Sequence, residues 1–320
     1  MNILFITHPY PNYVPDLLLH GLRKLLGNSV IDYPRKDCVH DGVLGLGVCP
    51  DDQKSYSWFP EDDDIDRNDV QTKLSKGFFD YIVLDIRSIE TALSLLSQAK
   101  YKGLAIIDGE DNPIPMKPGE FLFFQRETDG TNCSIPLPMA MPEEIFMDIN
   151  QFDNETKKYS VGFIGSLSDQ HGFRERVVTA LIKYFPDGLF KLSGVASEDN
   201  QNPDGRLGKK DYYKNLQQCE TLVTLRGAGF DTFRYWEHAA CNAVNIVEDF
   251  PLLIPDRFDD NIHQLSFSSE KSLIMKVETM IKNKDRALEI RQACRKHLMH
   301  SHLTIHRAKY FLDKMNAVYA

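Results

Sequence analysis

The chain has no CxxC pair. Its six cysteines (Cys38, Cys49, Cys133, Cys219, Cys241 and Cys294) lie scattered over 320 residues. That pattern excludes the common zinc and dithiol frameworks and reads as reduced, mostly buried thiols in a cytoplasmic protein. There is no apolar run of membrane-spanning length, and the opening MNILFIT has no basic region ahead of a long apolar stretch. Stable membrane insertion and a signal peptide are therefore not expected. A basic excess is also missing. The formal net charge of −9 works against a broad, sequence-independent grip on nucleic acid. Part of the acid is packed into EDDDID at 61–66, which reads as a solvated loop rather than a metal site. Low-complexity tracts and internal repeats are absent too.

What is present is a globular composition, 42% hydrophobic and 26% charged, with length enough for two domains that each bury a core. The order of patterns is that of an α/β protein. An apolar run at 2–7 ends at His8-Pro9-Tyr10-Pro11 and precedes a helical pattern at 17–26 closed by Gly27. Strand-like runs at 81–85 and 104–108 flank a helical pattern at 89–99, a βαβ unit with parallel strands. A further strand is expected at 121–125. Three prolines in 133–142, before a polar segment at 148–158, mark a connector.

A second series follows: strand 159–164, loop GSLS at 165–168, helix 173–184, strand 189–192, helix 211–218, a strand from Glu220, a helix from Thr232, strand 243–247 and helix 270–281. The tail from Asp285 is helical. It breaks near His300 and His302, so that a last helix, 305–318, packs elsewhere. His300, His302 and His306 lack a carboxylate partner pattern and are not read as a metal site.

The chemistry concentrates in LRGAGFDTFRYWE at 225–237. Glycines in a turn let the backbone approach a ligand. Asp231 or Thr232 can cap the next helix, whose first N–H groups then face an anion. Arg226 or Arg234 adds a charge-assisted contact to phosphate. Glu237, one turn after Arg234, offers acceptors to two ribose hydroxyls, although an i,i+3 ion pair on a helix surface would explain the same spacing. The small residues of 239–243 let the helix sit close to the sheet, at the carboxyl ends of strands where α/β folds bind ligands. A second piece, VGFIGS at 161–166 followed by Arg174, opens space at another strand end.

Taken in order, these pieces resemble the glycosyltransferases of GT-B architecture. They are similar to the group-1-like branch that holds spore-maturation-type and exostosin-like enzymes. The residues carrying the resemblance are Gly162, Gly165, Ser166, Arg174, Arg226, Gly227, Gly229, Asp231, Thr232, Arg234 and Glu237, all within 159–247. The resemblance implies two Rossmann-like α/β/α domains facing a central cleft, 1–152 and 153–303, with a final helix at 304–320 crossing back onto the first. It implies a nucleotide-sugar donor as co-substrate, held by Gly165, Ser166, Arg174, Arg226, Gly227, Gly229, Phe230, Asp231, Thr232, Arg234 and Glu237. Transfer of a hexose or pentose would need no metal and no further cofactor. Many retaining members carry an acid seven positions before the ribose-binding glutamate. Here that position is Phe230, which favours inversion.

Acceptor activation then falls to the first domain. His8 after the first strand has a side chain whose ordinary pKa of ~6.5 suits a general base, though a lone histidine is more often a solvated or capping one. Asp108 and Asp111, after the strand at 104–107, offer carboxylates, against an Asx turn as the bland alternative. Asp16 and Asp85 are weaker versions of the same argument. The acceptor stays open among a glycan, a lipid-linked glycan, a protein and modified DNA, and the oligomeric state is not legible. A sugar-nucleotide epimerase of the same layout and an inactive GT-B-like binding protein remain alternatives.

Overall fold

The structure, a computed structural model, describes residues 1–40, 65–117, 119–167, 172–193 and 207–319. The acidic positions 61–64, Cys49 and Ser168 of the GSLS loop lie outside them. The chain forms two compact units. One comprises Met1–Pro142, Leu252–Pro255 and His302–Ala320, the other Glu143–Pro251 and Asp256–Ser301.

The first unit runs β1 (Ile3–Ile6), α1 (Tyr13–Leu26), β2 (Val30–Tyr33), α2 (Val70–Ser75), β3 (Tyr81–Asp85), α3 (Ile89–Leu96), β4 (Gly103–Asp108), β5 (Leu122–Gln125) and β6 (Ile135–Pro136). All six strands are parallel, in the order β2-β1-β3-β4-β5-β6. Every residue of β1 and β3 is buried, which is why those strands read as unbroken apolar runs: helices cover both faces. The chain winds from β1 to β2 in one direction and outward from β3 in the other. The carboxyl ends of β1 and β3 therefore meet at the switch point of the winding.

Three features here were not legible in advance. β2 escapes notice because Asp32, fully buried in it, breaks the apolar run. Its carboxylate holds Arg23 and Arg67, and these and its other hydrogen bonds keep its pKa well below the usual carboxylate range against the cost of burial. α2 is a single short turn-and-a-half. The Pro-rich stretch at 133–142, expected to be a connector, also contributes β6, which pairs with β5 through Ile135 and Pro136. Pro136 is tolerated because β6 is the edge of the sheet.

The second unit runs α4 (Glu143–Asn150), β7 (Tyr159–Ser166), α5 (Phe173–Tyr184), β8 (Leu189–Ser193), α6 (Lys209–Gln217), β9 (Cys219–Thr224), α7 (Phe233–Ala240), β10 (Val244–Glu248), β11 (Leu265–Phe267), α8 (Glu270–Lys282) and α9 (Lys284–Ser301). Its sheet is again parallel, in the order β11-β10-β9-β7-β8. Val161, Phe163, Val223, Val244 and Ile246 from the strands pack with Val177, Leu181, Leu273 and Val277 from α5 and α8. The winding reverses between β7 and β9. The switch point of this unit is thus bounded by Ser166 and by the glycine turn after Thr224.

The last helix, α10 (Thr304–Tyr319), belongs to the first unit. It packs on α1 so closely that a Cβ at Gly21 would run into the Thr304 carbonyl. Phe311 meets Phe124 of β5 at 4.8 Å between ring centroids, and Asn316 accepts the Tyr81 hydroxyl at 2.7 Å.

Candidate functional site

At the switch point of the second unit, β7 ends in Gly165 and Ser166 while β9 runs into Leu225 and the turn Arg226–Gly229. Arg174, in the first turn of α5, is buried. Its guanidinium donates to the Ser166 carbonyl at 2.9 Å and to the Arg226 carbonyl. It therefore ties the two strand ends together. Within the turn Gly227 N–H donates to the Gly229 carbonyl at 2.8 Å. Neither Gly227 nor Gly229 has a positive φ; the glycine with one in this site is Gly165, at 157°. A Cβ on Gly165 would collide with the Arg234 guanidinium, so close approach is what requires glycine there.

Arg226 is held by Glu248 at the end of β10. The buried carboxylate accepts the Arg226 backbone N–H at 3.0 Å and pairs with its guanidinium. The same guanidinium lies 4.3 Å from the centroid of Phe230 and 5.7 Å from that of Phe173. Phe230 thus serves as a platform for a paired arginine. Glu248 was not singled out from the sequence. The only signal was an acid closing an apolar strand, and strands end in acids for many reasons.

Asp231 is buried, and its Oδ1 accepts the Trp236 indole N–H at 2.8 Å. Thr232 is the N-cap of α7 in extended conformation (φ −104°, ψ 147°), with no side-chain cap bond, and its buried Oγ1 has no partner among the described residues. Thr232 itself therefore gives the helix no side-chain cap, at the carboxyl edge where the dipole favours an anion.

Arg234 makes no hydrogen bond and no ion pair with any described residue. Its guanidinium lies 5.3 Å from the centroid of Phe163, beside Gly165, and its Nε is buried without a partner. Glu237 turns away from it and accepts the Tyr212 hydroxyl of α6 at 2.9 Å. Burial pushes the Glu237 carboxyl up, while the Tyr212 hydroxyl and the Arg234 and Lys209 charges pull the other way. Of the three arginines expected here, two are bound to protein groups, while Arg234 has no hydrogen-bond or ionic partner among the described residues.

In the first unit His8 lies half-buried past the end of β1, its Nδ1 accepting Tyr10 N–H at 3.3 Å. Lys36 clamps this loop. Its fully buried ammonium donates to the carbonyls of His8 (2.6 Å) and Tyr10 (2.7 Å) and pairs with Asp16 at 2.9 Å. Asp85, fully buried at the end of β3, accepts Arg87 N–H at 3.0 Å through Oδ1; its Oδ2 has no partner among the described residues, and burial raises its pKa. Asp108 is fully buried and accepts from Glu110 N (3.0 Å), Ile114 N (2.8 Å) and Gln125 Nε2 (2.9 Å). Asp111 pairs with Arg126 at 2.7 Å. Asp108 and Asp111 thus shape the loop after β4, the Asx-turn alternative weighed for them. Among the described residues no three His, Cys, Asp or Glu side chains are grouped to hold a metal ion, and no helix is long and apolar enough to cross a membrane.

Residues 172–313 match the family model described as glycosyl transferase-like. By fold the chain is similar to HepE of Anabaena, solved in complex with UDP and glucose (TM-score 0.59, 11% identity, 99% of each chain covered). It is similar to sucrose-phosphate synthase of Thermosynechococcus elongatus (TM-score 0.54, 11% identity, 100% of this chain and 99% of that one). A DNA-modifying β-glucosyltransferase, studied with and without uridine diphosphoglucose, gives TM-score 0.51 at 15% identity over 99% of both chains. By sequence the chain matches no curated protein.

Proposed function

We propose that this chain is a GT-B glycosyltransferase of the group-1-like kind and that it moves a sugar from a nucleoside-diphosphate donor to an acceptor hydroxyl, without a metal and with inversion; the family-model match over 172–313 and the GT-B-like fold support the reading. The carrying observation is Arg234, a cation without an ionic partner among the described residues, at the switch point beside Gly165 and the start of α7. A leaving nucleoside diphosphate needs this combination of charge and backbone donors, because negative charge develops on it as the glycosidic bond breaks. Glu237, already bonded to Tyr212, keeps acceptor capacity for ribose hydroxyls. Arg174 and Arg226 hold the strand ends in place from below, through carbonyls and Glu248.

His8 takes the acceptor proton in this reading. Its Nε2 has no partner among the described residues, and it is the one group of the His8, Asp108 and Asp111 set not committed to a strong contact. With Tyr10 N–H on Nδ1 the neutral ring carries its proton on Nε2. Base duty therefore includes release of that long 3.3 Å bond. Phe230, stacked on Arg226, places no carboxylate where retaining relatives have one. The free described cysteines fit a reducing, cytoplasmic setting.

The test is turnover of a panel of nucleotide sugars, with and without glycan, lipid-linked glycan, protein and modified-DNA acceptors. Acceptor-dependent release of nucleoside diphosphate supports transfer. Donor conversion with no acceptor would support epimerisation and count against it.

A further inference from the structure

His238 is fully buried on α7, one turn beyond Arg234, and the function proposed above leaves it unused. Its hydrogen bonds fix its chemical state. Thr224 Oγ1, at the end of β9, is 2.8 Å from Asn245 Oδ1 and 2.9 Å from His238 Nδ1. Asn245 turns its amide nitrogen toward the Tyr235 carbonyl at 3.4 Å, so its Oδ1 is the acceptor. The single Thr224 hydroxyl proton goes to that oxygen. Thr224 must then accept from His238, which places the imidazole proton on Nδ1. Nε2 is left as a lone pair, buried and with no partner among the described residues. Burial, reinforced by the Arg234 charge, holds the His238 pKa well below its ordinary value, so the ring stays neutral.

Two unsatisfied atoms of opposite kind therefore sit on one helix. Among the described residues, the Arg234 Nε–H is a buried donor without an acceptor, and His238 Nε2 is a buried acceptor without a donor. The i,i+4 spacing puts their side chains on the same face of α7. Leaving a buried donor and a buried acceptor unpaired carries a desolvation cost that a direct bond between them would relieve.

We propose that His238 is a positioning residue for Arg234: its Nε2 lone pair receives the Arg234 Nε–H when the guanidinium closes on the diphosphate of a nucleotide ligand. The Thr224–Asn245 chain presets the tautomer, so the acceptor is ready before the ligand arrives. A neutral acceptor orients the guanidinium without lowering the positive charge left for phosphate, which a carboxylate would do. The terminal nitrogens then face the ligand as a planar fork. This inference rests on Arg234 binding the diphosphate.

The experiment is a double-mutant cycle on nucleoside-diphosphate affinity by calorimetry, using UDP, GDP, CDP and ADP as probes with the full chain. His238→Asn keeps a donor at the δ position for Thr224 and removes the ε acceptor; His238→Gln restores an acceptor at the ε position. We expect His238→Asn to weaken binding about tenfold and His238→Gln to recover most of it. In an Arg234→Ala background His238→Asn should change nothing further. Additive losses in the cycle, or equal losses with Asn and Gln, would overturn the inference while leaving Arg234 as ligand contact. If Arg234→Ala alone leaves affinity unchanged, the donor-site proposal itself fails. Should His238→Asn not fold, Thr224→Val releases the tautomer lock. It must then lower affinity only where Arg234 is present; a loss of the same size without Arg234 would overturn the proposal.

Discussion

Arg234 and Glu237 stand one helical turn apart on α7 and do not pair. Arg234 leans over Phe163 toward Gly165, while Glu237 bonds to Tyr212 on α6. An i,i+3 ion pair would be worth only ~0.2–0.5 kcal/mol and is the ordinary fate of such residues. In the donor-site reading proposed above, its absence leaves the Arg234 charge for a diphosphate and the remaining acceptor capacity of Glu237 for ribose hydroxyls.

Gly165 makes room for that cation. Gly165→Ala places a methyl group where the Arg234 guanidinium now lies. The expected result is a loss of nucleotide affinity of about tenfold, roughly 1.4 kcal/mol, and no additional loss in an Arg234→Ala background. Calorimetric titration of the four variants checks it; independent, additive effects would show that Gly165 acts otherwise.

Glu248 anchors the turn. Glu248→Ala leaves the half-buried Arg226 guanidinium without its partner and orphans the Arg226 backbone N–H. Breaking a buried pair costs 3–5 kcal/mol; with Arg226 partly exposed to solvent, about 2 kcal/mol is expected. A denaturant midpoint unchanged from wild type would contradict the anchor.

His8 and Asp108 should respond differently. His8→Ala is expected to lower kcat by about 10²–10⁴-fold, the range for loss of a general base, with nucleotide affinity intact. Asp108→Ala orphans the N–H groups of Glu110 and Ile114, so a fall in thermal stability is its expected signature. Steady-state kinetics beside thermal melts separates the two, and a fully active His8→Ala would remove His8 from the mechanism.

Lys157 gives a pH prediction. Its ammonium donates to the carbonyls of Gln217 and Cys219, both at 2.8 Å, and to that of Asn242. Burial pushes its pKa down from 10.5 to about 8. Between about pH 8 and 10.5 the unfolded chain binds more protons at this site than the folded one. This group's contribution to stability therefore rises with pH across that window. Lys157→Met should remove the rise, read as a flatter or falling melting temperature from pH 8 to 10; parallel curves for the two proteins would contradict it.

Much of this was legible in the sequence because the signals were local. The apolar runs of β1, β3 and β4 and the whole of α5 follow from short-range pattern, and so does the glycine turn before α7. β2 was hidden because a buried charge, Asp32, is paid back by arginines nine and thirty-five residues away. Which arginine is free was equally invisible. Arg226 meets Glu248 across twenty-two residues and Arg174 meets the Arg226 carbonyl across fifty-two, and no spacing rule announces such partners. The tautomer of His238 depends on Thr224 and Asn245 from two different strands, so it too emerges only once β9 and β10 lie side by side.

The most direct test is calorimetric titration of nucleoside diphosphates into the wild-type chain and into Arg234→Ala. At least one nucleotide is expected to bind wild type, with affinity falling tenfold or more in Arg234→Ala, about 1.4 kcal/mol or above, while the melting temperature holds. Equal affinity in the two folded proteins would contradict the assignment of this site to the donor diphosphate.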